Sequence, residues 1–250
     1  MLIKDIMNFL FPPSCYICGN RLSGDDRIVC FECLSKVEQT DYHLFQHNIL
    51  ERMFWGHIPI EKAAALMRYD SDTARYIVMA NKYLSHPEVG YRVAYVFAVP
   101  VVKSGFFNGV DVIIPVPISW RRRLRRQYNQ SEYIARAVSD MTGIPMRCDV
   151  VKKVKHNPTQ TRLSHQDRMQ NAQGVYRLVK PEAVRGKHVL LVDDVITTGS
   201  TILSCAKEIC KAGGVTFSIL ALAHATGKIS PEYPDEGVDS SAFGLPLVGK

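Results

Sequence analysis

Long apolar runs are missing from this sequence. The best stretch, Val93 to Val102, is short and carries Pro100, whereas a membrane helix needs roughly 20 apolar residues. No membrane span is therefore expected. The N-terminus has Lys4 and Asp5, then a short run ending at Pro12-Pro13 with no small-residue cleavage site, so no export signal is read and a cytoplasmic location is expected. There the seven cysteines should be thiols or metal ligands rather than disulfides. A large excess of one charge is also missing. Lys and Arg number 31 against 24 Asp and Glu, a net charge of +7. That surplus fits phosphate, pyrophosphate or nucleic acid without choosing among them. At 46% hydrophobic and 22% charged residues, collagen, coiled coil and global disorder are excluded. The 250 residues suit one full α/β domain plus a small appendage, or two modest domains. Such a length buries a sizeable core without disulfides.

The informative residues are concentrated in a few places. Cys15, Cys18, Cys30 and Cys33 are spaced C-x2-C, eleven residues, C-x2-C. Each pair can hold two thiolates on one tight turn, and two such knuckles close a tetrahedron around Zn²⁺. Gly19 suits the turn because glycine tolerates positive φ. Asn20, Ser23-Gly24 and Asp25-Asp26 read as a polar hairpin tip. The connecting loop is slightly shorter than usual for paired C-x2-C sites, and four unrelated thiols remain the alternative. So small a module lacks an apolar core of its own, so metal binding should supply its folding energy, on the order of 10 kcal/mol. Residues 36–60 form a polar and aromatic connector with Tyr42, His43, Phe45, His47, Phe54, Trp55 and His57. They read either as packing between this module and the rest of the chain, or as a second site.

From residue 61 strands and helices alternate. Ala63 to Met67 reads as a strand, and Ser71-Asp72 caps a helix carrying Ala74, Ile77, Val78 and Leu84. Asp111 to Val116 reads as a buried parallel strand. A helix with Ile134, Ala137, Val138 and Met141 closes at Gly143 and Pro145. Val150, Val151 and Val154 mark another strand, as do His188 to Val192 and Val215 to Leu222. This alternation implies an α/β fold with a mostly parallel sheet and right-handed crossovers. The expected domains are a zinc module with connector over 1–50, the α/β domain over 51–225, and a loop-like or disordered tail over 226–250. Cys148, Cys205 and Cys210 read as small core residues. No Ser-His-Asp or Cys-His arrangement is readable around them.

The stretch from Val189 to Thr201 carries the chemistry. An apolar strand delivers Asp193 and Asp194 to its C-terminal end, where open α/β sheets bind ligands. Thr197, Thr198, Gly199, Ser200 and Thr201 then open a helix with Ile202, Ala206 and Ile209 on one face, ending at Gly213-Gly214. Loop amides and the helix N-terminus can cradle a phosphate, hydroxyls can donate to its oxygens, and Gly199 lets backbone approach closely. Two carboxylates would repel that phosphate, so they must serve something else. Vicinal sugar hydroxyls are their natural partners. The pattern reads as a ribose 5-phosphate cradle; the alternative is a surface turn with accidental acids, costly at the end of a buried strand. A Walker-type loop is excluded because the Gly-Lys-Ser/Thr ending is missing.

This stretch resembles the phosphoribosyl-pyrophosphate (PRPP) motif of type I phosphoribosyltransferases. From about Phe11 to Ala225 the chain resembles the late-competence ComF/GntX-like family, which joins an N-terminal four-cysteine zinc-ribbon-like module to such a domain. Asp111 to Pro117, Arg123 to Gln130, and Gln160 with Arg168 and Asn171 also match. The chain departs at Gln127-Tyr128, where the family usually has Gly-Phe. The resemblance implies attack on C1′ of Mg²⁺-bound PRPP with release of pyrophosphate, to an acceptor that carries no sequence signature. It implies a pyrophosphate turn around Pro117, Ile118 and the residues up to Trp120. One or two of Arg121, Arg122, Arg123, Arg125 and Arg126 would help, Arg121 and Arg123 being the expected pair and the rest lying on the surface. It implies that residues 155–172 cover the site, with Arg168 or Lys155 neutralising the departing oxygens while water is excluded. The expected catalytic set is thus Asp193, Asp194 and Arg168. Lys82 is a further anion-binding candidate, or simply a solvated lysine. The family further implies a role in taking up or processing single-stranded DNA in natural competence, alongside other DNA-uptake proteins. The zinc module, Arg121 to Arg126, Trp120, Tyr128 and Tyr133 would then contact DNA. A PRPP-sensing adaptor without turnover is the blander alternative.

Overall fold

The computed structural model describes residues 14–22, 28–83, 86–154 and 174–226. The expected hairpin tip at Ser23 to Asp26, the cover segment with Lys155 and Arg168, and most of the tail lie outside the described residues, as does the Lys82 side chain.

Among the described residues four strands make the sheet: β1 (Ile60–Arg68), β2 (Val112–Pro115), β5 (His188–Ile196) and β6 (Thr216–His224). All pairings are parallel, in the order β1-β6-β5-β2. The short strands β3 (Val151–Lys153) and β4 (Tyr176–Leu178) instead form a separate antiparallel ribbon. The strand read at Val150 to Val154 therefore exists, but outside the main sheet.

Strand side chains alternate between faces, and this alternation sorts the core into two layers. Ile113, Leu190, Val192 and Leu220 face a layer that includes Ala74, Val93 and Ile134. Those residues belong to α3 (Asp72–Tyr83), α4 (Pro87–Lys103) and α6 (Gln130–Thr142). Val112, Ile114, Val189, Leu191 and Ile219 face the opposite layer, which holds Leu50, Phe54, Ile202 and Ile209. These come from α2 (Ile49–Arg52), the turn after it, and α7 (Ser200–Ile209). A sheet covered on both faces needs apolar residues at successive positions, which is why its strands read as continuous runs rather than as alternation.

Local chemistry sets the ends. Ser71 Oγ accepts from the Ala74 amide at 3.1 Å, starting α3. Gly143 takes φ 73° and stops α6. α4 begins with Pro87 and carries Pro100 inside; it contains the apolar stretch from Val93 to Val102. Among the described residues no helix is long and apolar enough to cross a membrane.

The cysteine-bearing segment is not separate from this core. Cys15, Cys30, Cys33 and, with α1 (Phe31–Ser35), Leu34 share the buried cluster of Ala74, Ile77 and Val89. The connector packs as well. Asn48 caps α2 by accepting from the Leu50 amide at 2.9 Å, and its Nδ2 donates to the Ala63 carbonyl of β1 at 2.9 Å. Of the three other cysteines only Cys205 is buried; Cys210 is half-buried and Cys148 exposed, because Cys148 precedes the ribbon on the surface rather than filling a strand.

Candidate functional site

Because β2 pairs with β5, with Pro115 opposite Val192, the segments leaving these strands rise side by side from one sheet edge. Between them lies a cavity of about 310 Å³. Its lining includes Pro117 and Ile118 after β2, and Asp193, Asp194, Thr197 and Thr201 at the end of β5 and the start of α7.

β5 continues through the acid pair to Ile196 instead of stopping at Val192, because β6 keeps pairing with it, Asp193 facing Ala221 and Val195 facing Ala223. The acids are thus held on rigid strand backbone. Asp193 is buried. Its Oδ1 accepts from Ser131 Oγ at 3.1 Å and from the Asp194 amide at 2.9 Å. Asp194 is half-buried, and its Oδ1 accepts from the Val195 amide at 2.6 Å. These bonds fix carboxylate orientation before any ligand arrives.

The turn behind the acids is built around Gly199, with φ 68° and ψ 0°. A Cβ there would lie 2.9 Å from Cζ of buried Phe54. Both the backbone conformation and the neighbour demand glycine. Thr198 Oγ1 donates to Ser200 Oγ at 3.1 Å. Thr197 and Thr201 line the cavity, whereas Thr198, Gly199 and Ser200 form the turn without lining it.

Across the cavity stand Arg122 and Arg126 of α5 (Trp120–Arg126). They lie four residues apart, hence on one helix face. Arg121 and Arg123, the pair expected from the sequence, do not line the cavity. Arg123 pairs with Glu132 at 3.2 Å and the Arg121 guanidinium lies 5.7 Å from the Trp120 ring centroid. Helical phase decides which arginines point inward. α5 is opened by Ser119, whose Oγ accepts from the Arg122 amide at 3.4 Å. It ends at Gln127, which takes the left-handed φ 65°, the conformation a glycine adopts freely. Gln127 thus holds this backbone conformation where the family usually has glycine, and Tyr128 donates its hydroxyl to the Asn81 carbonyl at 2.9 Å.

Sequence reasoning missed Gln130 and Ser131 of α6, and Lys153 and Tyr176 of the ribbon, all of which line the cavity. Lys153 and Tyr176 face each other in register. The Lys153 ammonium sits 5.3 Å from the Tyr176 ring centroid. Burial, then the nearby Arg122 guanidinium, lowers the Lys153 pKa, while Asp193 opposes the shift. Burial also pushes the Tyr176 hydroxyl well above the usual phenol range.

Far along the chain, the four thiols of Cys15, Cys18, Cys30 and Cys33 lie within 4.8 Å of one another. Cys15 and Cys33 Sγ are 3.9 Å apart, and Cys18 and Cys30 Sγ 3.7 Å. A tetrahedron with metal–sulfur bonds of about 2.3 Å has edges of about 3.8 Å. The cluster therefore fits a metal ion such as zinc.

Comparison with known proteins agrees with this geometry. The phosphoribosyl transferase domain family matches residues 129–245. Competence protein F of Haemophilus influenzae is 40% identical over 116 residues, 46% of this chain and 51% of that protein, so the chain spans about half the length of this relative. The DNA utilization protein YhgH of Escherichia coli O157:H7 is 26% identical over 211 residues, 83% of this chain and 88% of that protein. Among solved structures, the allosteric regulatory enzyme of purine biosynthesis is similar over 57% of this chain and 30% of its own, with 24% identity and a TM-score of 0.38. Residues 129–245 thus match the phosphoribosyl transferase domain, and with its parallel sheet, acid pair and four-cysteine cluster the chain is similar to ComF-like competence and DNA utilization proteins.

Proposed function

We propose that the cavity binds PRPP with Mg²⁺ and that the protein transfers its phosphoribosyl group. One juxtaposition carries this reading. Asp193, Asp194, Thr197 and Thr201 border the same cavity as Arg122, Arg126 and Lys153. Carboxylates suit a sugar diol, and a helix N-terminus with hydroxyls suits a monoester. Three cations suit a pyrophosphate. On this reading Asp193 and Asp194 accept from the ribose hydroxyls. Thr197 to Thr201 hold the 5-phosphate. The Pro117-Ile118 turn, with Arg122, Arg126 and Lys153, holds the pyrophosphate as a nucleophilic acceptor bonds to C1′, the C1′–O bond breaks and its electron pair leaves on the pyrophosphate oxygen. The metal ion that accompanies pyrophosphate takes oxygen ligands and neutralises part of that charge. Arg168 remains the proposed further neutralising residue. The four-cysteine cluster is proposed to hold zinc, with residues 1–50 as its module and connector.

The test is calorimetric titration of Mg–PRPP. The wild type should release heat, and Asp193→Asn with Asp194→Asn should weaken binding at least tenfold, since hydrogen bonds to a charged group contribute about 1.5–3 kcal/mol each. Absence of heat with wild-type protein refutes the reading.

A second reading is supported by the outer face of α5. Trp120 and Leu124 are 63% and 69% exposed, and Arg121 lies against Trp120. Exposed aromatics among arginines suit stacking and phosphate pairing with single-stranded DNA. Relatives named for competence and for DNA utilization support a role in DNA uptake, beside other proteins of that process. PRPP is then a substrate or a regulatory ligand. Gel shifts across a salt series, with Trp120→Ala, test it; affinity indifferent to both salt and the substitution removes it.

A further inference from the structure

The two segments that frame the cavity are tied together a second time, by the start of α6. Val116, which follows β2, donates its amide to the Val192 carbonyl at 2.8 Å. Its own carbonyl, directly before the Pro117-Ile118 turn, accepts from Asn129 Nδ2 at 3.0 Å. Asn129 Oδ1 in turn accepts from the Ser131 amide at 3.3 Å, and Ser131 Oγ donates to Asp193 Oδ1 at 3.1 Å. These bonds lead without a gap from the turn after β2 to the first acid on β5. Asn129 is 1% exposed and Ser131 2%, so water competes little for them and each is strengthened by its surroundings.

The residue types suit this link better than they suit the helix alone. Asn129 caps α6, and serine would cap about as well. The amide adds a second arm, Nδ2, that reaches Val116 while Oδ1 serves the cap. Ser131 lies inside the first turn, where alanine is the better helix former. Its hydroxyl is spent on Asp193 instead.

We infer that Asn129 and Ser131 are positioning residues: together they brace the pyrophosphate turn against the acid pair and hold the two at the spacing the ligand spans. The inference rests on the reading of this cavity as a PRPP site and deepens it. Asn129 acts through the Val116 carbonyl, and Ser131 through the Asp193 carboxylate. A hydrogen bond to a carboxylate is stronger than a neutral one, so the hydroxyl holds Asp193 in one orientation, ready to accept from the sugar. Ordering that is complete before binding is not charged against affinity.

The test is calorimetric titration of Mg–PRPP into the full chain. Ser131→Ala should weaken binding about three- to tenfold, the share of one hydrogen bond. Asn129→Ser keeps the cap but gives up the reach to Val116, and should weaken binding by a similar factor. Because both act through one brace, the double variant should lose clearly less than the product of the two single losses. In an Asp193→Asn background, Ser131→Ala should cost about twofold or less. A merely structural role moves the melting temperature rather than the affinity of folded protein, and does not depend on the Asp193 carboxylate. Affinity of Ser131→Ala within about twofold of wild type overturns the inference and leaves the PRPP site standing. An equal loss in both backgrounds does the same, as does a double variant whose losses multiply. Absence of PRPP binding by wild type overturns both the inference and the reading beneath it.

Discussion

Replacing Gly199 with alanine strikes the turn behind the acid pair in two separable ways. The first is conformational. Gly199 sits at φ 68°, and an L-residue in the left-handed region costs about 1–2 kcal/mol. The second is steric. The new Cβ would lie 2.9 Å from Phe54 Cζ, 3.0 Å from Phe54 Cε1 and 3.5 Å from Met53 Cε. Phe54 is fully buried beside Leu50 and Ile202, so its ring has no open space to swing into. Overpacking of this kind costs about 1–3 kcal/mol. The stiffer unfolded chain returns about 0.4–1 kcal/mol. The expected net loss is about 1–5 kcal/mol, large against a total stability of about 5–15 kcal/mol. Urea unfolding of Gly199→Ala, Phe54→Leu and the double variant measures the parts. Phe54→Leu should recover the steric share, giving a favourable coupling of about 1–3 kcal/mol, and leave the conformational share in place. A Gly199→Ala protein within about 0.5 kcal/mol of wild type, or a double variant with additive losses, would refute the reasoning.

Three further outcomes are expected. Gln127→Gly should stabilise by up to about 1 kcal/mol, the relief of left-handed strain exceeding the entropy of the added glycine; a lower urea midpoint would show that the Gln127 side chain compensates for its backbone. Burial lowers the pKa of both His188 and His224, whose rings contact Ser218 Oγ and the Tyr42 hydroxyl, each at 2.9 Å. Each is therefore neutral when folded but takes a proton when unfolded below about pH 6.5. Their contribution is constant above that pH and lost as pH falls through it, by at most about 1.4 kcal/mol per pH unit for each histidine. His224→Gln should flatten the acid limb of a stability profile, and an unchanged limb would contradict this assignment. A strong chelator should lower the melting temperature, because Cys15, Cys30 and Cys33 are packed into the shared core; metal-replete and chelated protein melting together would exclude a structural ion.

The sheet was largely legible in the sequence because strands buried on both faces need unbroken apolar runs, as at Val189 to Val192. The continuation of β5 through Asp193 and Asp194 was not, since hydropathy ends at Val192 while pairing with β6 goes on. α4 was not read as a helix because Pro87 and Pro100 punctuate its apolar pattern. Pro87 in fact occupies a tolerated first-turn position. The acid pair and the hydroxyl-rich turn announced themselves through local spacing. Lys153, Tyr176 and Ser131 did not, because each reaches the cavity through tertiary placement and carries no local motif. That Arg122 and Arg126, rather than Arg121 and Arg123, line the cavity follows from helical phase. That phase is set by Ser119 as the cap, and could have been read from it.

A crystal structure of the protein soaked with Mg–PRPP tests the central claim most directly. The ribose hydroxyls should lie within hydrogen-bond distance of Asp193 and Asp194, with the 5-phosphate on the turn from Thr197 to Thr201. An empty cavity at saturating ligand, or a pentose bound away from both acids, would contradict it.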